Sequence, residues 1–329
     1  MAANAQMNSS NNNRKSRKWL NSPIMVYKGL TISIGEYLPD FERRSFNLHM
    51  PDGNLTSINP NLDIIVRKPY RDDSHPVPIG LVSKDYRLIP HREVLNVAID
   101  ALKANGIDPA QTISELSITQ FGERMTMSTY LPERYNFDPG DGHELAMRLE
   151  CFNSVDGSCR FKVFMGWFRF VCSNGLVLGV KKSAFERRHL NSLTIDDIRS
   201  VLENGLSNIE EEQGQFTAWK ARSTKLDDIV EWVNDDLRQI WGFKAATRAY
   251  HIARSGYDVK IKGPHKGERP TTILTESAER VPGTPNKIGN AYDISQILAW
   301  LAKERNDLQE QQDWREQIPD LMNKLIYNE

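Results

Sequence analysis

The chain has few cysteines, three in 329 residues, and no Cys-x-x-Cys pair among them. So small and odd a number cannot build the disulfide framework of a secreted domain, and these cysteines alone cannot form a zinc knuckle. The cysteine content therefore predicts a protein that works in a reducing cytoplasm.

Long hydrophobic runs are also missing. No uninterrupted apolar stretch approaches the roughly 18 to 20 residues that span a bilayer. The polar start, residues 1–13, lacks the apolar segment of a signal peptide. We therefore expect a cytoplasmic protein that has no membrane partner.

A large excess of one charge is absent as well, since 42 Lys and Arg residues stand against 43 Asp and Glu residues. This balance excludes a general basic coat for nucleic acid, so any site for a polyanion must be local. One such local excess exists, because residues 158–188 hold seven cationic side chains and a single acidic one.

Common catalytic motifs are missing too. The nearest approach to a phosphate loop, residues 263–267, lacks the spacing and the Ser or Thr that would hold the magnesium of a nucleotide. None of the seven histidines forms His-Glu-x-x-His, and no Gly-x-Ser-x-Gly elbow is present. We expect no metal, no cofactor and no catalytic residue, which favours a binding protein over an enzyme.

What is present in the first 190 residues is the pattern of an α+β domain. Residues 1–22 are rich in Asn and Ser and carry four cationic residues, which predicts a disordered basic arm. Alternating apolar residues around Pro51-Asp52-Gly53 predict a β-hairpin. Helical spacing over residues 87–106, ending in Asn105-Gly106, predicts a helix before the central sheet.

Three runs between residues 124 and 171 alternate with period two and predict an antiparallel β-meander. The Asp-Gly turn at residues 153–158 joins the second run to the third. The even-numbered positions mix cationic and aromatic residues and are predicted to face outward. The odd-numbered positions are apolar and are predicted to face a core: Met125, Met127, Leu145, Met147, Leu149, Cys151, Phe161, Val163, Met165 and Trp167.

From residue 191 onward the pattern is mainly helical. Helices are predicted after Thr194 and after Thr224, each followed three positions later by an acidic residue. Residues 255–289 are rich in Gly, Pro and Lys and predict a long loop, and Pro319 is predicted to interrupt the last helix. The predicted organisation is a basic arm (1–22), a β-rich α+β domain (23–190) and a helical region (191–329) that packs on it.

The even-numbered face of the meander combines the two kinds of side chain that single-stranded nucleic acid requires. Cations neutralise phosphates, and flat rings stack on bases. We therefore expect single-stranded DNA, or RNA, to bind along this face. The predicted binding residues are Arg124, Arg148, Arg160, Lys162, Phe164, Arg169, Lys181, Lys182, Arg187 and Arg188.

Three alternatives stay open. Cations on the outer face of a sheet commonly do no more than face water, and Phe164 could pack beneath the C-terminal helices. The acidic helical half could instead dock a protein partner through the final helix, around residues 314–326, as a host-modulating factor. An enzyme would need Cys172, His189 and Asp156 to converge in one pocket.

Five segments in a fixed order, residues 86–93, 121–124, 153–158, 169–176 and 289–292, carry a family resemblance. They resemble the phage- and plasmid-associated family known as domain of unknown function 932, over roughly residues 81–302. The most specific portion is the Asp-Gly-Ser hairpin followed by the Arg-x-x-Cys-x-Asn segment. The motif residues are Asn153, Asp156, Gly157, Ser158, Cys172, Asn174 and Asn290.

The chain departs from the family pattern at two places. Val155 stands where members tend to carry His, and Gly175 stands where they tend to carry Thr. The valine removes an imidazole that could serve as a ligand or a base, which weakens a catalytic interpretation of the turn. The resemblance implies a gene carried by a mobile genetic element and expressed in the bacterial cytoplasm, and it brings no established activity.

The predicted order of helix, three-stranded meander and long helix also resembles the core of single-strand annealing proteins. In those proteins a basic groove beside such a sheet holds DNA, and the subunits assemble into rings. The resemblance implies a homo-oligomeric accessory protein of recombination or replication, although a shared fold does not assign a function.

Overall fold

The computed structural model of the chain describes residues 6–7, 24–49, 55–169, 176–189, 195, 197–262, 274–305 and 308–327. Contacts divide the chain into two compact units. Unit 1 comprises Met1–Arg134, Arg148–Met165 and Lys182–Leu206, and unit 2 comprises Tyr135–Met147, Gly166–Lys181 and Ser207–Glu329. The chain thus enters each unit three times, whereas the sequence pattern suggested one boundary at residue 190. Apart from residues 6–7, the predicted basic arm lies outside the described residues.

The strands form a seven-stranded sheet in the order β1-β2-β6-β7-β8-β9-β10, a three-stranded sheet β3-β4-β5 and a two-stranded sheet β11-β12. Pairing is antiparallel from β1 to β8 in the large sheet and throughout the two smaller ones. The strands are β1 (Gln6–Met7), β2 (Ile24–Leu30), β3 (Phe41–His49), β4 (Leu55–Arg67), β5 (Val77–Ser83), β6 (Ile113–Thr119), β7 (Arg124–Tyr130), β8 (Leu145–Ser154), β9 (Phe161–Arg169), β10 (Leu176–Arg187), β11 (Tyr257–Lys262) and β12 (Leu274–Arg280).

Helices occupy most of the rest of the described chain, so the α+β class predicted from sequence is confirmed. The helices are α1 (His91–Ala104), α2 (Asp197–Ser207), α3 (Ile209–Ala221), α4 (Val230–Trp232), α5 (Arg238–Ser255), α6 (Ala291–Lys303) and α7 (Leu308–Tyr327), with short 3₁₀ turns at Ile34–Tyr37, Pro109–Gln111, Glu133–Tyr135 and Asp227–Ile229 and a π-helical turn at Val233–Leu237. Among the described helices, none has the length and hydrophobicity that a bilayer crossing needs.

The predicted meander is confirmed as strands β7, β8 and β9, which are neighbours in the large sheet. All ten of the apolar odd-numbered side chains named above are buried. The turn before β9 closes as its sequence predicts, because Gly157 adopts a φ of +77° and the Asp156 carboxylate accepts a hydrogen bond from the Ser158 amide at 3.0 Å. Period two therefore identified the strands and the burial of their odd-numbered face, but β8 and β9 are buried on the even-numbered face as well.

Two further predictions of local structure are confirmed. Strands β3 and β4 pair as an antiparallel hairpin whose turn, residues 50–54, lies outside the described residues. Helix α1 ends at a cap on Asn105, followed by Gly106 with a φ of +68°. Both signals are local and depend on backbone conformations that few residues adopt.

Two predictions in the helical half are wrong. Residues 255–289 are not one long loop, because β11 and β12 pair antiparallel within them. The alternation of Tyr257, Val259 and Ile261 marks β11, but the Gly and Pro content obscured it. Helix α7 continues through Pro319. The buried apolar side chains on both sides of that proline offset the hydrogen bond that it removes.

The three-stranded sheet packs against the turn between β8 and β9. Val155 in this turn is buried in a cluster with Phe41, Ile65, Val82 and Tyr86. A Cβ atom at Gly80 on β5 would approach the Asp156 Cβ to 2.7 Å, so only glycine allows this contact. The turn at residues 153–158, which we call the family turn, therefore packs closely against β5, and Val155 serves as a core residue there.

Candidate nucleic-acid interface

Of the eight predicted binding residues whose side chains the structure describes, four are buried. Their exposed fractions are 5% for Arg148, 1% for Lys162, 2% for Phe164 and 5% for Arg169. The expectation that these side chains form an uncovered strip on the meander is therefore wrong.

Each buried cation has an acidic partner, which explains how it is accommodated. Arg148 pairs with Glu150, and its guanidinium also donates to the Tyr130 hydroxyl at 3.4 Å. The Lys162 ammonium lies 3.1 Å from a Glu186 carboxylate oxygen. A charge that leaves water requires such partners, so these residues belong to the stable interior rather than to a ligand surface.

Arg169, in unit 2, is held in the same way. Its guanidinium pairs with the Asp141 carboxylate and donates to the Gln296 side-chain oxygen at 3.1 Å. It also lies 5.8 Å from the ring centroid of Tyr292. Two segments of the family pattern thus meet here in a buried polar cluster.

The other described cations of the predicted set lie at one end of the large sheet, within unit 1. Arg124 begins β7, Arg160 precedes β9, Arg187 ends β10 and Arg188 follows it. These positions share one end because Arg124 pairs with Ser154 at the end of β8, and the Arg160 guanidinium donates to Glu186 at the end of β10 at 2.7 Å. Arg160, Arg187 and Arg188 are exposed, and Arg124 is half-buried.

Two of these arginines are positioned by neighbouring groups. The Arg124 Nε donates to the Ser158 Oγ at 2.8 Å, and that hydroxyl donates to the Asp156 carboxylate at 2.6 Å. The family turn therefore orients Arg124. Glu186 contacts both Arg160 and Lys162, so one carboxylate neutralises part of the local positive charge.

An exposed aromatic ring that the sequence analysis missed lies at the same end. Phe121, in the turn between β6 and β7, is 42% exposed. The next residue, Gly122, has a φ of +78°, and a Cβ atom there would meet Pro39 at 2.6 Å. The sequence signal that could have identified Phe121 is a Phe-Gly turn shortly before the cationic Arg124. We call Phe121, Arg124, Arg160, Arg187 and Arg188 the sheet-end cluster.

Several predicted residues cannot be assigned to this cluster. Lys181 and Lys182 lie in β10, and their side chains are outside what the structure describes. Cys172 and Asn174 are outside the described residues altogether. Asn290 caps helix α6, because its side-chain oxygen accepts a hydrogen bond from the Asp293 amide at 3.0 Å.

Asn153 of the family turn is buried and joins three segments of unit 1. Its side-chain amide donates to the Ile89 carbonyl and to His91 Nδ1, both at 2.9 Å. His91 Nδ1 must then be unprotonated, and Nε2 donates to the Gly122 carbonyl at 2.8 Å. Burial favours this neutral form and lowers the pKa of His91 to about 4.

A second buried histidine, His189, stacks on Tyr86 with ring centroids 5.2 Å apart. Neither of its ring nitrogens has a hydrogen-bond partner within the described parts of the chain. Burial lowers the pKa of His189 to about 4. The catalytic alternative, which joins His189 and Asp156 to Cys172, stays a hypothesis because Cys172 is outside the described residues. No group of three His, Cys, Asp or Glu residues in the described ranges could hold a metal ion.

The final helix does not offer the docking surface suggested for a protein partner. Its apolar side chains Ile318, Leu321 and Met322 are buried in unit 2. Trp314 stacks on Trp241 with ring centroids 4.2 Å apart. The apolar stripe on this helix is therefore used in folding, as most amphipathic helices use theirs.

Comparison with known proteins identifies the family of the chain. Searches of curated proteins and of solved structures find no match. The family described as domain of unknown function (DUF932) matches residues 78–271, more than half of the chain. The match includes helix α1, the meander, the family turn and the sheet-end cluster. The chain therefore belongs to the DUF932 family.

Proposed function

We propose that the protein binds single-stranded nucleic acid at the sheet-end cluster. The observation that carries this proposal is the exposed Phe121 ring beside Arg124, at the end of the sheet where Arg160, Arg187 and Arg188 are also accessible. The role would be that of an accessory protein of recombination or replication, encoded by a phage or plasmid and acting in the bacterial cytoplasm.

The chemistry of the cluster suits an unpaired strand better than a duplex. A flat exposed ring can stack on a base only when that base is unstacked from its neighbours, and such stacking contributes about 1–3 kcal/mol per base. The arginines would contact phosphates, which makes affinity depend on salt. The contact between Arg124 and Ser158 fixes one guanidinium before the ligand arrives, so binding costs less conformational entropy.

A charge-removal experiment tests the proposal. A fluorescein-labelled oligothymidylate is titrated with the wild-type chain and with the triple variant R160Q/R187Q/R188Q, with anisotropy recorded at several salt concentrations. We expect weaker binding and a flatter dependence of log affinity on log salt, by about 0.7 for each phosphate that the variant no longer neutralises.

The control variant R44Q/K103Q/R134Q removes three exposed charges elsewhere in unit 1. It should retain most of the affinity. Equal weakening by both triple variants would show a general charge effect, and failure of the wild-type chain to bind would end the proposal.

The aromatic contribution is tested separately with F121A. We expect affinity to fall by about 5-fold to 150-fold, which corresponds to one stacked base, with an unchanged salt dependence. An affinity equal to that of the wild type would show that Phe121 contacts no base.

A further inference from the structure

Arg71 lies at the surface of unit 1 over three tyrosine rings. Its guanidinium carbon is 4.6 Å from the ring centroid of Tyr27, 5.1 Å from that of Tyr70 and 5.7 Å from that of Tyr37. Tyr27 and Tyr37 are themselves stacked, with centroids 4.4 Å apart and planes inclined by 8°. The arginine side chain is exposed, yet it is held in place by this aromatic cluster.

The backbone at Arg71 is also unusual. Its φ is +55°, and no other described residue except glycine has a positive φ. An L-residue with a side chain is disfavoured in this region, and Asn or Gly would fit it more easily. A disfavoured backbone conformation at an exposed arginine points to a role for its side chain.

Among the described residues, Arg71 forms no ion pair with a carboxylate. The nearby Arg67, by contrast, is buried and paired with Asp73. Arg71 donates a hydrogen bond from Nη1 to the Tyr27 hydroxyl at 2.5 Å. A guanidinium has five N–H donors, so Arg71 offers an immobilised cation with donors to spare for a ligand.

We propose that Arg71, with Tyr27, Tyr37 and Tyr70, forms a stacking station for one nucleotide of the single strand bound at the sheet-end cluster. This inference rests on the proposed function. A guanidinium is planar, so it can stack on a base, and its N–H groups can donate to a phosphate. Because the cluster fixes the side chain beforehand, binding restricts less side-chain freedom.

The chain connects the station to the sheet-end cluster within unit 1. Tyr37 ends a 3₁₀ turn, its carbonyl accepts a hydrogen bond from the Tyr70 hydroxyl at 2.7 Å, and Pro39 follows two residues later. Pro39 is the residue against which Gly122 packs, next to Phe121. Residues 37–39 therefore link the Arg71 cluster to the turn that carries Phe121.

Photochemical cross-linking with the full chain locates the contacts. An oligonucleotide that carries 5-bromouracil, whose photochemistry favours stacked aromatic side chains, is irradiated in complex with the protein, and cross-linked peptides are identified by mass spectrometry. We expect cross-links to Tyr37 or Tyr70 in addition to Phe121. Cross-links to Phe121 alone would overturn this inference and leave the proposed function standing.

An arginine-to-lysine exchange supplies an independent readout. R71K keeps the charge and removes the planar group, so we expect at least about 5-fold weaker binding with an unchanged salt dependence. The matched control R134K changes an exposed arginine of unit 1 away from both sites and should bind like the wild type. Unchanged affinity of R71K would overturn the stacking station, whereas absence of wild-type binding would remove the proposed function as well.

Discussion

One face of the large sheet carries the even-numbered residues of the meander. The exposure of this face differs sharply between its β2-β6 side and its β8-β9 side. One cross-strand row of unit 1 shows the change, because Leu30 pairs with Ile113, Ile113 with Tyr130, and Tyr130 with Arg148. Along this row the exposed fraction falls from 46% at Leu30 and 43% at Ile113 to 5% at Arg148. The apolar side chains at one end of the row are exposed, and the charged Arg148 at the other end is buried.

This contrast shows that residue type on a sheet face does not reveal whether the face is covered. Arg148 and Lys162 tolerate burial because acidic groups accompany them. Leu30 and Ile113 remain partly exposed, which is common for apolar side chains on a protein surface. A ligand site must therefore be sought where cations are accessible, and on this face that means the sheet end.

The largest expected effect concerns the buried side of this face. Glu150→Leu removes the carboxylate that pairs with Arg148, which leaves a buried cation without its main partner. We expect the free energy of unfolding to fall by about 3–5 kcal/mol. Urea denaturation measures the change.

The double variant R148M/E150L is the matched control, because it removes both charges and keeps similar volume. Its stability should return to within about 1–2 kcal/mol of the wild type. If the single and double variants are equally stable, the cost of Glu150→Leu does not come from leaving Arg148 without its ion-pair partner.

The next-largest expected effect is a loss of folding stability at acidic pH. Burial lowers the pKa of both His91 and His189 to about 4, below the unfolded value of about 6.5. As pH falls below about 6.5, the unfolded chain binds protons that the folded chain does not, so stability decreases until the pH reaches about 4. We expect a decrease of about 2 kcal/mol per histidine between pH 7.5 and pH 5, measured by urea denaturation.

The variant H189F isolates one of the two histidines. Phenylalanine keeps the stack on Tyr86 and removes two buried nitrogens that have no partner in the described structure. We expect higher stability at pH 7.5 and about half of the acid dependence. An unchanged pH profile would show that His189 does not titrate with folding.

The smallest effect is expected on the open side. L30T and I113T alter side chains that are exposed over nearly half of their surface. Each should change the free energy of unfolding by no more than about 0.5 kcal/mol. A larger decrease in thermal or urea denaturation would mean that this side of the face is covered in solution, and the contrast between the two sides would disappear.

The predictions made from sequence succeeded where the signal is local. The odd-numbered core positions of the meander, the Asp-Gly turn and the end of helix α1 depend on side-chain period or on backbone conformations that few residues adopt. Strand β11 was missed, because the Gly and Pro residues around it outweighed a short alternation. Phe121 was missed because a single aromatic residue in a turn has no periodic neighbours to mark it.

By itself, the sequence determined the strands of the meander, the apolar core on their odd-numbered face and the family to which the chain belongs. Only the tertiary structure decided that Lys162 and Phe164 are buried, that Arg124 and Arg160 share one sheet end, and that Arg71 lies over three tyrosines. The physical reason is that alternation fixes the two sides of a strand, whereas exposure depends on what packs against each side. That packing joins residues far apart in the chain, which no local pattern records.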